Sequence, residues 1–220
     1  MLWGDSHASA LLPAFEQAAL ALHRQGLIAE RSGCPPLLGV DRRELTPRLD
    51  VTCHNCRPFN DAVAAIVAKA SIREVVLASR WTKNVEGTDY AVSENRVIFL
   101  KGLRRTLDFL MQAQKKIVIV GPIPEIGTSV PEVLARAKYF RIKQDVRPTI
   151  AEFNARQEFI LKTFAHLQPS DDITVVYPDH ALCAVDKCAV EKAGSPLYRN
   201  SHHLSTFGAQ QLTALISSVL

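Results

Sequence analysis

Two residues separated by almost the whole chain carry side chains suited to acyl transfer: Ser6, in Leu2-Trp3-Gly4-Asp5-Ser6-His7-Ala8, and His203, in Asn200-Ser201-His202-His203-Leu204-Ser205. A serine hydroxyl is a weak nucleophile until a neighbouring base takes its proton, so Ser6 needs a histidine within hydrogen-bond reach. Ser6 is read as the nucleophile on the turn that leaves a first β-strand, and His203 as the base that the fold returns to it. A bland alternative treats Gly-Asp-Ser as a turn in which Asp or Ser caps a helix. Position favours chemistry: a strand end and a glycine precede a helix whose N-terminal N–H groups can help hold an oxyanion.

The intervening chain must supply the scaffold. Residues 8–25 have apolar letters at helical spacing and Gly26 as a stop. Leu27-Ile28-Ala29 predicts a short strand running into Gly33-Cys34-Pro35-Pro36, where the prolines exclude a central strand or helix. Residues 39–56 read as irregular loop, and Phe59 to Ala70 as helix. Glu74 to Trp81 reads as a buried strand with a polar end, of the kind that both-face burial gives parallel sheets. A loop containing Gly87 and Tyr90 leads to an amphipathic helix over Leu100–Gln114.

Lys116 to Pro122 is the clearest strand, closed by a Gly-Pro breaker. A Pro-rich loop, a short helix near 131–139, a helix over 149–167 and a strand over Ile173–Pro178 follow. Residues 179–204 read as loop, and Thr206–Leu220 as a closing helix. Strands alternating with helices predict an α/β fold with a central parallel sheet of about five strands covered on both faces. Ligands of such sheets sit beyond the carboxyl ends of the strands. Ser6, Gly33, Arg80 and the loop after Tyr177 all follow expected strands, which is the reason to group them.

Composition narrows the function classes. The 220 residues suffice for one domain with a real core, and 47% hydrophobic with 22% charged content excludes a disordered tail. The formal charge of +4 is scattered, with no basic block interleaved with aromatics, so nucleic acid is not an expected partner. No run approaches the roughly 20 apolar residues of a membrane helix. The brief apolar start before Ser6 does not have the form of a signal peptide. It suggests a fragment whose natural sequence continues upstream of Met1. Of the five cysteines, Cys183 and Cys188 are expected to bracket a short loop as a local disulfide, the alternative being that the cysteines are ordinary buried thiols. Cys34 with Cys56 or Cys53 makes a second, which favours an oxidising compartment. Cys53-His54-Asn55-Cys56 also has the C-x-x-C spacing of zinc and redox motifs but lacks a convincing second pair of ligands.

With these residues assembled, the chain resembles the GDSL/SGNH esterases. It is most similar to the SGNH domain fused to multi-helix membrane acyltransferases that O-acetylate surface polysaccharides. Leu2 to Ala8 matches the first block of that domain. Cys34-Pro35-Pro36-Leu37, Cys56-Arg57-Pro58-Phe59-Asn60 and Leu77-Ala78-Ser79-Arg80-Trp81 resemble its middle blocks. Leu182-Cys183, Cys188, Tyr198 and His203 to Ala209 resemble its last. The resemblance implies a flavodoxin-like three-layer α/β/α sandwich over residues 1–220. It implies an oxyanion hole from the backbone N–H groups of Ser6 and Gly33, with Arg80 where the wider family has an asparagine. Trp81 is expected either to stack on a sugar ring or to pack into the core.

The family places an aspartate three residues before its base, where this chain has Asn200. An amide oxygen can accept the histidine Nδ1–H as a carboxylate does, but without charge; Asp179 is another acid that could assist. His202 is a rival base, disfavoured by the His-Leu-Ser register. His7 reads as a helix-start residue, and His23, His54 and His166 as surface residues.

The expected function is serine-dependent acyl transfer, of acetyl above all, to a polysaccharide hydroxyl, or acyl-ester hydrolysis, without metal or cofactor. The implied partners are an acylated donor, a polysaccharide acceptor and a membrane acyltransferase domain in the intact protein. The implied location is the periplasm, or the extracytoplasmic face of the inner membrane. Two rivals remain: a catalytically weak glycan- or partner-binding module, motivated by Asn200, and a zinc or redox protein built on Cys53 and Cys56.

Overall fold

The apolar runs of the sequence become the strands of one sheet. A computed structural model describes residues 1–40, 56–86, 91–167 and 172–220. Strand β1 (Leu2–Gly4) is followed by α1 (Ser6–Ala21), β2 (Ile28–Glu30), α2 (Cys56–Val67), β3 (Glu74–Ala78) and α3 (Val92–Gln112). Then come β4 (Lys116–Val120), α4 (Val130–Phe140), α5 (Ile150–Ala165) and β5 (Ile173–Val176). The expected α/β architecture is present: a five-stranded parallel sheet in the order β2-β1-β3-β4-β5, with helices between the strands. β3 is buried along its whole length and β4 from Ile117 onward, as continuous Val/Ile/Leu runs require in a parallel sheet.

The chain divides into two compact units. The first comprises Met1–Ser9, Gly26–Val120 and Thr163–Val175; the second comprises Ala10–Gln25, Gly121–Lys162 and Val176–Leu220. In the first unit, short β1 is held on both sides, with Leu2 paired to Ile28 and to Val76. The Met1 amine donates to the Glu74 carbonyl and the Val76 N–H to that of Met1, which extends the β3 side of the pairing. Gly4 is required by close approach, since a Cβ there would lie 1.7 Å from the Ala78 carbonyl oxygen. The Trp3 indole N–H donates to Asn60 Oδ1 at 2.9 Å, and Asn60 Nδ2 donates to the carbonyls of Pro35 and Leu37. One buried amide of α2 thereby ties β1 to the loop after β2.

The second unit carries more regular structure than the sequence suggests for 179–204. Helix α6 (Asp179–Leu182) leads into hairpin β6 (Cys183–Ala184)–β7 (Lys187–Cys188), and hairpin β8 (Glu191–Lys192)–β9 (Ser195–Pro196) follows. The closing helix is two short ones, α7 (Thr206–Gln210) and α8 (Thr213–Ser217). Between them Thr213 Oγ1 donates to the Gln210 carbonyl, occupying an acceptor that a continuous helix would offer to a backbone N–H.

Disulfides Cys34–Cys56 and Cys183–Cys188 are formed. The first resolves the alternative between Cys56 and Cys53 and removes Cys56 from any zinc or redox pair; Cys53 and His54 lie outside the described residues. Among the described residues, no helix is long and apolar enough to cross a membrane.

Candidate active site

In a parallel sheet of this order, the direction in which successive strands are added reverses between β1 and β3, and ligands bind at the carboxyl ends there. Ser6 leaves β1 at that point, and Ser79-Arg80 leave β3. Asp5 joins the two exits. Its Oδ1 accepts the His7 N–H at 2.8 Å, capping α1. Its Oδ2 accepts the Ser79 hydroxyl at 2.6 Å and the Arg80 N–H at 2.9 Å. The bland reading of Asp5 as a helix cap is therefore correct as far as it goes, and the same carboxylate also fixes the turn that carries Ser6. Ser79 and Asp5 are both buried. Asn84 Nδ2 donates to the Arg80 carbonyl and reaches Ser79 Oγ, bracing the β3 exit from below. The strand expected over Glu74–Trp81 thus stops at Ala78, because Ser79 and Arg80 turn toward Asp5 and Trp81–Asn84 form a 3₁₀ turn.

Gly33 lies on the exit of the neighbouring strand. The Arg31 N–H donates to the Gly4 carbonyl, and the Cys34 N–H closes a turn onto the Arg31 carbonyl. Gly33, third in that turn, has φ +75°, the left-handed region that favours glycine. Ser6, Gly33 and Arg80 therefore stand at the same end of three adjacent strands of the first unit.

Of the two roles open to Trp81, the structure has the core one. It is buried, its indole N–H donates to the Val120 carbonyl at 2.7 Å, and Phe164 and Phe99 meet it edge-on at 5.2 and 6.2 Å. A ring enclosed in this way offers no face to a sugar, so Trp81 is a core residue. A strand-end tryptophan looks the same in sequence whether it packs inward or outward.

In the second unit, Asn200 and His203 occupy a tight loop. Tyr198 bridges Leu204, and the Arg199 N–H donates to the His203 carbonyl at 2.9 Å. The carbonyls of Ser201 and Asn200 accept from Ile126 and Val130. The loop runs into α7, where Ser205 Oγ accepts the Gly208 N–H and donates to the Pro196 carbonyl. A Cβ on Gly208 would lie 1.9 Å from the Leu197 carbonyl oxygen. The letters His-Leu-Ser-x-x-Gly thus encode a helix cap and a close approach, which serine-to-glycine spacing could have signalled.

The amide of Asn200 is not used as the sequence suggests. Its Oδ1 accepts the backbone N–H groups of His202 and His203 at 3.0 and 2.8 Å, and its Nδ2 stands 3.0 Å from His203 Nδ1. His202 faces its neighbour's hydroxyl instead, with Nδ1 2.9 Å from Ser201 Oγ. Asp179 Oδ2 lies 4.0 Å from His180 Nε2, its Oδ1 is buried with no hydrogen-bond partner among the described residues, and partial burial raises its carboxyl above the ordinary value. The Tyr198 phenol is enclosed, and burial, followed by the charge of Glu125, raises its pKa and keeps it neutral. Of the remaining histidines, His7 is buried at the start of α1, while His23 and His166 are exposed as expected.

The geometry is that of the Ser6 turn in one unit and a histidine loop in the other. Among curated proteins, none matches the chain at a significant level. A solved structure of the periplasmic domain of a lipopolysaccharide acetyltransferase from Salmonella ser. Paratyphi A superposes with a TM-score of 0.74. That likeness covers 99% of this chain and 82% of the other at 18% sequence identity, and shows a shared fold. The model of the SGNH domain fused to AT3 domains matches residues 1–218, and the chain belongs to that family.

Proposed function

We propose that this domain transfers acyl groups, acetyl above all, to a polysaccharide hydroxyl, or cleaves acyl esters, through an acyl-serine intermediate on Ser6. The observation that carries the reading is the Asp5 carboxylate, which accepts from His7, Ser79 and Arg80 and so holds the Ser6 turn at the switch point of the sheet. His203 takes the Ser6 proton and later returns it to the leaving group. The tetrahedral oxyanion is met by the N–H groups of Ser6 and Gly33 and by Arg80. Which product forms depends on whether a sugar hydroxyl or water reaches the acyl-enzyme first.

Family membership supports a membrane acyltransferase domain as the supplier of acyl groups in the intact protein, with residues 1–220 acting as its single SGNH-type domain. Two disulfides and the likeness to a periplasmic domain support an extracytoplasmic location, at the periplasmic face of the inner membrane. The test is p-nitrophenyl acetate turnover by the chain, by Ser6→Ala and by His203→Ala. Both variants are expected to fall to background, and equal turnover by all three proteins overturns the reading.

A second reading, a glycan- or partner-binding module of low catalytic power, is favoured by the Asn200 amide facing His203 Nδ1. Tight polysaccharide binding with no fluorophosphonate labelling of Ser6 is the result expected from it.

A further inference from the structure

We infer that Asn200 holds the neutral His203 ring with its proton on Nε2, the tautomer opposite to the one a general base toward Ser6 requires. The assignment rests on which end of the amide faces which neighbour. Two backbone donors, the N–H groups of His202 and His203, converge on Oδ1 at 3.0 and 2.8 Å. Rotating the amide by half a turn would set its NH₂ against both of them and forfeit two hydrogen bonds. Oδ1 is thereby fixed, and the atom 3.0 Å from His203 Nδ1 is Nδ2, which is only a donor. A donor facing Nδ1 requires a lone pair there, so the proton of the neutral ring sits on Nε2.

The chemical consequence, which rests on the acyl-serine reading above, follows from counting protons. To accept the Ser6 proton, Nε2 must present its lone pair, so the ring must first carry its proton on Nδ1. That form sets Nδ1–H against the Asn200 NH₂ and loses their hydrogen bond. The imidazolium formed after proton transfer carries N–H on both nitrogens and meets the same opposition. An aspartate would accept the two backbone N–H groups on one oxygen and Nδ1–H on the other, favouring both forms. In a serine protease, the aspartate-to-asparagine change lowers turnover about 10⁴-fold through the wrong tautomer. Asn200 is thus a positioning residue that acts through His203 and keeps the base in its unreactive form most of the time. The neighbouring His202 has no such constraint from Ser201, whose hydroxyl rotates to donate or accept.

The test reads the tautomer directly. The chain is labelled with ¹⁵N-histidine, and ring nitrogens are correlated with ring protons above about pH 8, where an ordinary imidazole is neutral. His203 signals are identified by their loss in His203→Gln. The wild-type ring is expected as the Nε2–H tautomer and the Asn200→Asp ring as the Nδ1–H tautomer. A wild-type Nδ1–H tautomer overturns the inference by itself, whether or not the variant folds, and so does one tautomer shared by both proteins. Asn200→Asp is also expected to raise p-nitrophenyl acetate turnover by about 10²- to 10⁴-fold, a gain abolished by adding Ser6→Ala. A tautomer exchange without Ser6-dependent turnover in either protein leaves the assignment standing and overturns the acyl-serine reading instead.

Discussion

The two turns that carry Ser6 and His203 are each organised by one short polar side chain, Asp5 and Asn200, yet they tolerate opposite chemistry. At position 5 the donors are split, with the His7 N–H on one carboxylate oxygen and the Ser79 hydroxyl and Arg80 N–H on the other. Both atoms must accept. At position 200 both backbone donors fall on Oδ1, and the second atom faces an imidazole nitrogen that donates or accepts according to its tautomer. An amide at position 5 would set an NH₂ against a backbone N–H, whereas an amide at position 200 is accommodated by moving a proton. The loop around Asn200 can therefore keep its shape while its histidine changes tautomer. Loop geometry and the tautomer of the histidine are separable at position 200, whereas at position 5 the shape of the turn and the charge of its side chain are joined.

Exchanging the two side-chain types is the strongest way to break this contrast. Asp5→Asn is expected to lower stability by about 2–4 kcal/mol in urea unfolding, because a buried N–H or NH₂ is left facing another donor. Asn200→Asp is expected to change stability by less than about 1 kcal/mol, since Oδ1 keeps both of its bonds. Comparable losses in the two variants would show that the split of donors at Asp5 does not matter.

A somewhat smaller effect compares the disulfides of the two units. Cys34–Cys56 closes a separation of 22 residues and Cys183–Cys188 one of 5. Replacing the first pair by serine is expected to cost about 3 kcal/mol and the second about 2 kcal/mol on chain-entropy grounds. The first also anchors α2 beside Gly33, so its removal should impair esterase turnover more than removal of the second. The reverse order in either measurement would place the critical staple in the histidine unit.

The smallest expected effect concerns Asp179. Burial raises its carboxyl above the ordinary value, with the charge of His180 pulling in the other direction. The folded state then holds this proton more tightly than the unfolded state. Stability falls as pH rises through the interval between the unfolded and folded values, and the penalty is complete above it. Asp179→Asn should therefore raise Tm slightly at neutral pH, and the advantage should vanish below about pH 4. An unchanged turnover in that variant would further separate Asp179 from the support of His203.

Much of the scaffold is legible in the chain because its signals are local. Val75 to Ala78 and Ile117 to Val120 can be read as buried strands from composition alone, and both are. The helix expected from Leu100 begins at Val92, since its first turns are exposed and carry little apolar periodicity. The hairpins within 179–196 have strands of two residues each, too short for any period to appear. Trp81 could be identified as a large ring at a strand end, but not by the direction it faces.

The sequence alone therefore determines the parallel α/β class, the three strand exits bearing Ser6, Gly33 and Arg80, and the cysteines available for pairing. These follow from hydrophobic period and from turn chemistry within a few residues. Tertiary structure decides the rest: that Trp81 is sealed by Phe164 and Phe99, that Asp5 serves two strand exits at once, and that Cys56 pairs with Cys34. It also decides which end of the Asn200 amide meets His203. The amide is one symbol in the sequence, and its donor and acceptor ends are distinguished only by the backbone N–H groups that the folded loop aims at its oxygen.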